Sequence, residues 1–255
     1  MLLLTLDHIS EIGFRLLLWI TYLYLNKWAP FIKHIEEEEL WYYRYPSVPS
    51  IIPLIYLYLV MIGIPLLVYI ISFLCSKKET IYNDLRNQFY GISLAYGINA
   101  VLTALLKVII GRPRPNFFYR CFPDGVGIDI QNCTGDWGSQ MDGRKSFPSA
   151  HSSFSFTGMV YITLYMFNEY DFSHPCFARG VIFFLALLPI ILAIVISLSR
   201  FCDYHHHMSD VVGGGIIGTS IALLVFHYYS EYNIEKDRKY LEKLRELHVA
   251  DMEVE

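Results

Sequence analysis

Six long apolar runs, near residues 10–29, 51–75, 89–110, 152–168, 181–198 and 211–229, limit this chain more than anything else in it. About 20 apolar residues carry a helix across a bilayer, and lipid offers no partner to a bare peptide group. Within hydrocarbon the backbone must therefore close its hydrogen bonds inside each segment, which selects α-helices. With 54% hydrophobic residues in 255, a soluble fold would lack polar surface for so many core helices. The expectation is an all-α, six-transmembrane-helix bundle forming one integral membrane domain over 1–255, with a polar tail from about 230. The formal charge of −4 offers no basic excess for nucleic acid.

The start, Met1 to Leu6, is short for a signal-peptide core and runs into Asp7 and His8, so the first helix is read as retained. Glu36 to Glu39 followed by Trp41, Tyr42 and Tyr43 reads as an acidic loop ending in an interfacial aromatic belt. Lys77, Lys78, Arg86, Arg179 and the tail cations fall on the side of the termini. The opposite loops hold a similar number of cations, but most of them fall inside polar clusters where a bound anion would occupy them. With those discounted, the positive-inside rule places the termini in the cytoplasm and the opposite loops on the lumenal or extracellular face of a secretory-pathway membrane, whether endoplasmic reticulum, Golgi or plasma membrane.

Three polar clusters interrupt the apolar background on that opposite face, where the helix count places the active-site loops. Lys107 and Arg114 sit at the end of the third run, where Pro113 and Pro115 stop a helix. Ser149, Ala150 and His151 stand where the fourth begins, with free backbone N–H groups suited to an anion. Ser199-Arg-Phe-Cys-Asp-Tyr-His-His-His-Met-Ser-Asp210 lies between the fifth and sixth, and helical spacing would bring His206 beside Asp210. The run His205 to His207, with Asp203, invites a metal reading. Against it, consecutive residues in regular structure cannot all face one ion, and the surrounding cations attract an anion instead. Lys107, Arg114 and Arg200 around His206 and His151 suit phosphoryl transfer through a phosphohistidine, with cations in place of a metal.

These residues resemble the type 2 phosphatidic acid phosphatase superfamily, the lipid phosphate phosphatases. Its three motifs are met by Lys107, Arg114 and Pro115; by Pro148, Ser149, Ala150 and His151, with alanine for the usual glycine; and by Ser199, Arg200, His206 and Asp210. The resemblance spans about residues 100–215, and the stretches Arg112 to Gly125 and Cys133 to Asp136 are similar to the branch akin to diacylglycerol diphosphate phosphatases. It implies magnesium-independent dephosphorylation, with no cofactor, of phosphatidate, diacylglycerol pyrophosphate and lysophosphatidate within the bilayer. Lys107, Arg114, Ser149 and Arg200 would bind phosphate together with the amide of Ala150. His206 would be the nucleophile, Asp210 would orient it, and His151 would be the acid and base. Alternative readings are a phosphatase of polyisoprenoid diphosphates or sphingoid phosphates, or a transporter, although a transporter places its ionisable groups at the midplane.

Cys121 and Cys133 share the large loop on the non-cytoplasmic face, where a disulfide is permitted, while Cys75, Cys176 and Cys202 are expected as free thiols. Pairing of Cys133 would hinder glycosylation at Asn132-Cys-Thr134. Gly213, Gly214, Gly215 and Gly218 let backbones approach closely, inside the bundle or in a homo-oligomer, and packing inside the bundle explains them better.

Overall fold

The computed structural model describes residues 2–75, 81–127, 130, 132–169 and 179–252; Cys176 lies outside them. Among the described residues the chain is helical and forms no strand. The helices are α1 (Leu2–Asn26), α2 (Leu54–Cys75), α3 (Ile81–Ile110), α4 (Phe117–Cys121), α5 (Trp137–Gly143), α6 (Ala150–Glu169), α7 (Arg179–Cys202) and α8 (Met208–Met252), with a 3-10 turn at Glu37–Tyr43. Four stretches among the described residues are long and apolar enough to cross a membrane: Leu54–Cys75, Asp84–Ile110, Gly180–Cys202 and Met208–Ser230. The other two apolar runs form α1, which carries Asp7, Glu11 and Arg15, and α6, which opens on Ser152, Ser153 and Ser155.

The helix α6 is the axis of the bundle. Ser152, Ser153, Ser155, Thr157 and Gly158 are small enough for neighbouring helices to close on it, and all but the glycine bury a polar group that needs a partner. Ser155 Oγ donates to the His151 carbonyl at 2.7 Å and Thr157 Oγ1 to that of Ser153 at 2.8 Å, within the helix, whereas Ser152 Oγ reaches across to the Val211 carbonyl of α8 at 2.6 Å. The apolar core then runs through Leu57 and Met61 of α2, Ile92 and Tyr96 of α3, Tyr161 and Ile162 of α6, and Ile221 and Val225 of α8. Large exposed hydrophobics such as Leu66, Ile70, Phe183, Val195 and Leu224 cover the outer faces of α2, α7 and α8, as a lipid-facing surface requires.

Two of the glycines weighed for a bundle or an oligomer contact pack within this chain. A side chain on Gly214 would meet the Ser149 carbonyl and Ser152, and one on Gly218 would run into the Ser153 carbonyl, so α8 lies backbone to backbone against α6. The hydropathy predicts an end to the sixth apolar run near residue 229, where the polar tail begins. Instead α8 continues unbroken to Met252, since no Gly or Pro interrupts it after Gly218.

Helices α3 and α7 end, and α6 and α8 begin, at the same end of the bundle. A second, smaller core of Phe117, Phe118, Cys121, Phe122 and Tyr43 caps that end. It is cross-linked by a disulfide between Cys121 and Cys133, while Cys75 and Cys202 are free thiols.

Candidate active site

At the end of α3, Gly111 takes φ of +57° and presses against the Phe31 carbonyl, where a Cβ could not fit. The chain then runs through Arg112-Pro-Arg-Pro115 across the mouth of the bundle. Arg114 is held there by its backbone N–H on the Gly143 carbonyl at 2.8 Å. Its guanidinium donates to the Asp142 carbonyl and to Asp142 Oδ1, each at 3.1 Å, and reaches the His205 carbonyl at 3.4 Å. Arg120 donates to the other Asp142 oxygen at 2.8 Å. Burial alone would raise the Asp142 carboxyl, but Arg114, Arg120 and Lys107 more than reverse this and hold it at about 2. Lys107, in the last turn of α3, shares a cleft of about 360 Å³ with Asp142, Lys145 and Trp137.

Ser149 precedes α6 as its N-cap. Its hydroxyl lies 3.4 Å from the Ser152 N–H, a long capping bond, and its own N–H donates to the Asp210 carbonyl at 3.0 Å. Ala150 is the first helical residue. Among the described residues only Tyr204, of the non-glycines, has positive φ, so Ala150 sits without backbone strain where the family motif has glycine. Next to it, in the first turn of α6, His151 Nε2 is buried with no protein partner.

The turn between α7 and α8 carries the remaining groups. Arg200 donates to Asp203 Oδ2 at 2.7 Å, while its Nε is buried without a partner. The three histidines diverge. His205 Nδ1 lies 2.9 Å from the Asp203 carbonyl, and His207 Nε2 lies 3.1 Å from that of Pro113, with its ring stacked on Tyr42. His206 is buried, its N–H held by the Arg200 carbonyl at 3.0 Å and its Nδ1 3.8 Å from Asp210 Oδ2. At that separation the ring faces the carboxylate without a hydrogen bond. Burial, together with the charges of Arg114 and Lys107, outweighs the opposing carboxylate and pushes the imidazole down to about 3, so it is neutral near pH 7.

Asp210 is fully buried and multiply held. Arg112 meets Oδ1 at 2.5 Å, Ser146 Oγ donates to Oδ2 at 2.6 Å, and the His207 N–H donates to Oδ2 at 3.0 Å. With α8 starting at Met208, His207 is the N-cap and Asp210 the third helical residue, so this last bond is the return half of a capping box. The structure thus brings Arg114, Ser149, His206 and Asp210 together through shared contacts, joins Arg200 to them through the His206 backbone, and sets Lys107 within electrostatic reach of His206. Sequence reasoning missed Arg112, Ser146 and Asp142, which hold these groups in place, and weighed Asp203 only as a metal ligand, where the structure gives it to Arg200. Arg112 and Ser146 lie inside the clusters already singled out, whereas nothing local marked Asp142 as the partner of Arg114.

Apolar helices with a cluster of cations and histidines at one end of their bundle define an integral membrane protein with a polar site. Comparison with known proteins identifies the family. Residues 89–234 match the PAP2 superfamily. The chain is 34% identical over 227 residues to Lipid phosphate phosphatase 2 of Arabidopsis thaliana, covering 86% of this chain and 76% of that protein. It is 31% identical over 238 residues to Probable lipid phosphate phosphatase 4 of the same plant, covering 91% and 75%. To Probable diacylglycerol pyrophosphate phosphatase 1 of Schizosaccharomyces pombe it is 29% identical over 207 residues, covering 77% and 72%. No solved structure matches. The chain belongs to the PAP2 superfamily and is a phosphatase, a phosphoric monoester hydrolase.

Proposed function

We propose that the protein dephosphorylates lipid phosphates, among them phosphatidate, diacylglycerol pyrophosphate and lysophosphatidate, through a phosphohistidine on His206 and without a metal ion. The observation that carries this is a buried, neutral His206 beside an Asp210 that three other groups hold still. Nδ1 faces the carboxylate and Nε2 is left as the attacking atom. Nε2 forms a bond to phosphorus as the bond to the lipid oxygen breaks; His151 takes up a proton as the entering phosphate dianion offsets the charges of Arg200 and Lys107, and gives it to that oxygen. Water then attacks the phosphohistidine and passes a proton back to His151, which releases phosphate and restores neutral His206. As positive charge develops on the ring, the 3.8 Å contact with Asp210 would shorten into a charge-assisted hydrogen bond.

Lys107, Arg114 and Arg200 would neutralise the equatorial oxygens, aided by Ser149 and the Ala150 amide at the start of α6. The unpartnered Arg200 Nε and His151 Nε2 are a donor and a proton carrier that such a group would satisfy. In this reading α1 and α6 join the four apolar helices as six spans. The termini are cytoplasmic and the site opens to the lumen or exterior, where the Cys121–Cys133 bridge is chemically at home. The relatives' names point to lipid phosphate and diacylglycerol pyrophosphate as substrates.

The test is phosphate release from phosphatidate by the full chain in detergent with excess chelator. Activity that persists, is lost in His206→Ala, and leaves an acid-labile, alkali-stable phosphoenzyme on rapid quenching supports the reading. Activity abolished by chelator and restored by a divalent ion would overturn its metal-free mechanism.

A further inference from the structure

An apolar groove of about 440 Å³ runs along the outer side of α7 and α8 and begins at the catalytic turn. Its α8 wall is the stripe Met208, Val212, Gly215, Ile216 and Thr219, spaced as one helical face; Met208 is two residues from His206. Ile194 and Leu198 of α7 form the other wall, with Phe156 of α6 beneath. From Met208 to Ser220 the stripe covers roughly 18 Å along the axis at 1.5 Å per residue. This is close to one leaflet of a hydrocarbon core about 30 Å thick. Ile216 and Val212 are exposed, so the groove opens sideways into lipid.

Two details fit the groove to a ligand. Gly215 takes no part in the tight α6–α8 contact that Gly214 and Gly218 make, since a Cβ there would meet Phe156 at 3.4 Å and Ser152 Oγ at 3.6 Å, ordinary contact distances. Its missing side chain leaves space in the groove. Ser197 is 2% exposed, lines the groove, and its Oγ has no partner, although an orphaned buried hydroxyl is costly. It stands three residues before Arg200 on the same face of α7, about 4.5 Å deeper along the helix axis.

We infer that this groove holds an acyl chain of the substrate, and that Ser197 Oγ donates a hydrogen bond to its ester carbonyl. The phosphate sits at Arg200 and His206, the acyl ester lies a short glycerol link away, and the chain follows the α8 stripe into the leaflet. The assignment rests on the lipid phosphatase reading above. It makes Ser197, Gly215 and Ile216 determinants of acyl length and linkage.

The experiment compares kcat/KM in mixed micelles for dioleoyl phosphatidate, dihexanoyl phosphatidate and a dialkyl ether phosphatidate. Gly215→Leu and Ile216→Trp fill the groove and are expected to lower the dioleoyl-to-dihexanoyl ratio about tenfold. Ser197→Ala is expected to lower the ester-to-ether ratio about fivefold. A diazirine placed in the acyl chain should label Val212 or Ile216. Were Gly215→Leu to fold poorly, Ile216→Trp on the lipid-facing surface still decides. With active wild type and dead His206→Ala, flat ratios or labelling elsewhere overturn the groove alone. Wild type that leaves phosphatidate intact overturns the catalytic reading and the groove together.

Discussion

Replacing His206 by glutamine tests its buried, neutral state through stability, independently of any assay of turnover. Burial, with Arg114 and Lys107 nearby, holds the ring at about 3, against an unfolded value of about 6.5. A histidine lowered on folding contributes stability that is fully present above the unfolded value. That contribution is lost as pH falls below it, because the unfolded chain takes up the proton that the folded one refuses. Between pH 8 and pH 5 the two values predict a loss of roughly 2 kcal/mol from this residue alone, the folded ring being still neutral at pH 5. For a chain of this size that is a fall of roughly 4–8 °C in thermal midpoint. The measurement is the midpoint in one detergent at both pH values, for wild type and His206→Gln. The variant should lose that much less on acidification, the other titrating groups cancelling in the double difference. Equal losses in the two proteins would refute the buried neutral imidazole. Agreement would also mean that an acid limb in kcat/KM between pH 5 and 7 belongs to another group. The second ionisation of the substrate phosphate, near pH ~6, is the first to examine.

Arg112→Ala should lower kcat more than it changes KM, with Arg112→Lys recovering part of the loss, because Arg112 holds the buried Asp210 and not the substrate. Steady-state kinetics read this, alongside a stability loss of about 1–3 kcal/mol, below that of a fully buried pair because Arg112 is partly exposed. Gly218→Leu should lower the thermal midpoint by the equivalent of about 1–3 kcal/mol or more, its Cβ colliding with the Ser153 carbonyl. Gly63→Ala, where nothing lies within 4 Å, should leave the midpoint unchanged or slightly raised. Ala150→Gly should keep turnover within about twofold, because the native residue already has an allowed helical backbone; a large gain in turnover would contradict that geometry.

The helices were legible because lipid leaves the backbone one solution, and their ends were legible wherever a proline or a polar cluster stopped them. The unbroken α8 was not, because the change from apolar to charged residues near Ser230 alters the surroundings of the helix without breaking its backbone. In the site, residue types and spacing exposed the groups that suit a phosphate, but the carboxylates that steady them lie far along the chain. Arg112 and Arg114, two residues apart, take Asp210 and Asp142, at sequence separations of 98 and 28. No local period predicts that division. It arises because the Arg-Pro-Arg-Pro segment crosses the bundle mouth between the start of α8 and the end of α5.

The pairing of His206 with Asp210 is the instructive case, since the spacing was read correctly for a reason that the structure replaces. Four residues suggested two side chains one turn apart on a helix, yet α8 begins at Met208 and His206 lies before it. What brings them together is the cap. The Asp210 carboxylate reaches back to the His207 N–H, which fixes the chain immediately after His206, while the Arg200 carbonyl fixes the His206 N–H itself. One carboxylate therefore starts the helix, receives Arg112 and Ser146, and faces the imidazole. Asparagine could keep the cap, because its amide oxygen still accepts from the His207 N–H, but it carries no charge for Arg112 or for a developing imidazolium. Asp210→Asn should for that reason separate the two roles, retaining helical content by circular dichroism while phosphate release falls by orders of magnitude. If activity and helix were lost in proportion, the carboxylate's part at His206 would be structural alone.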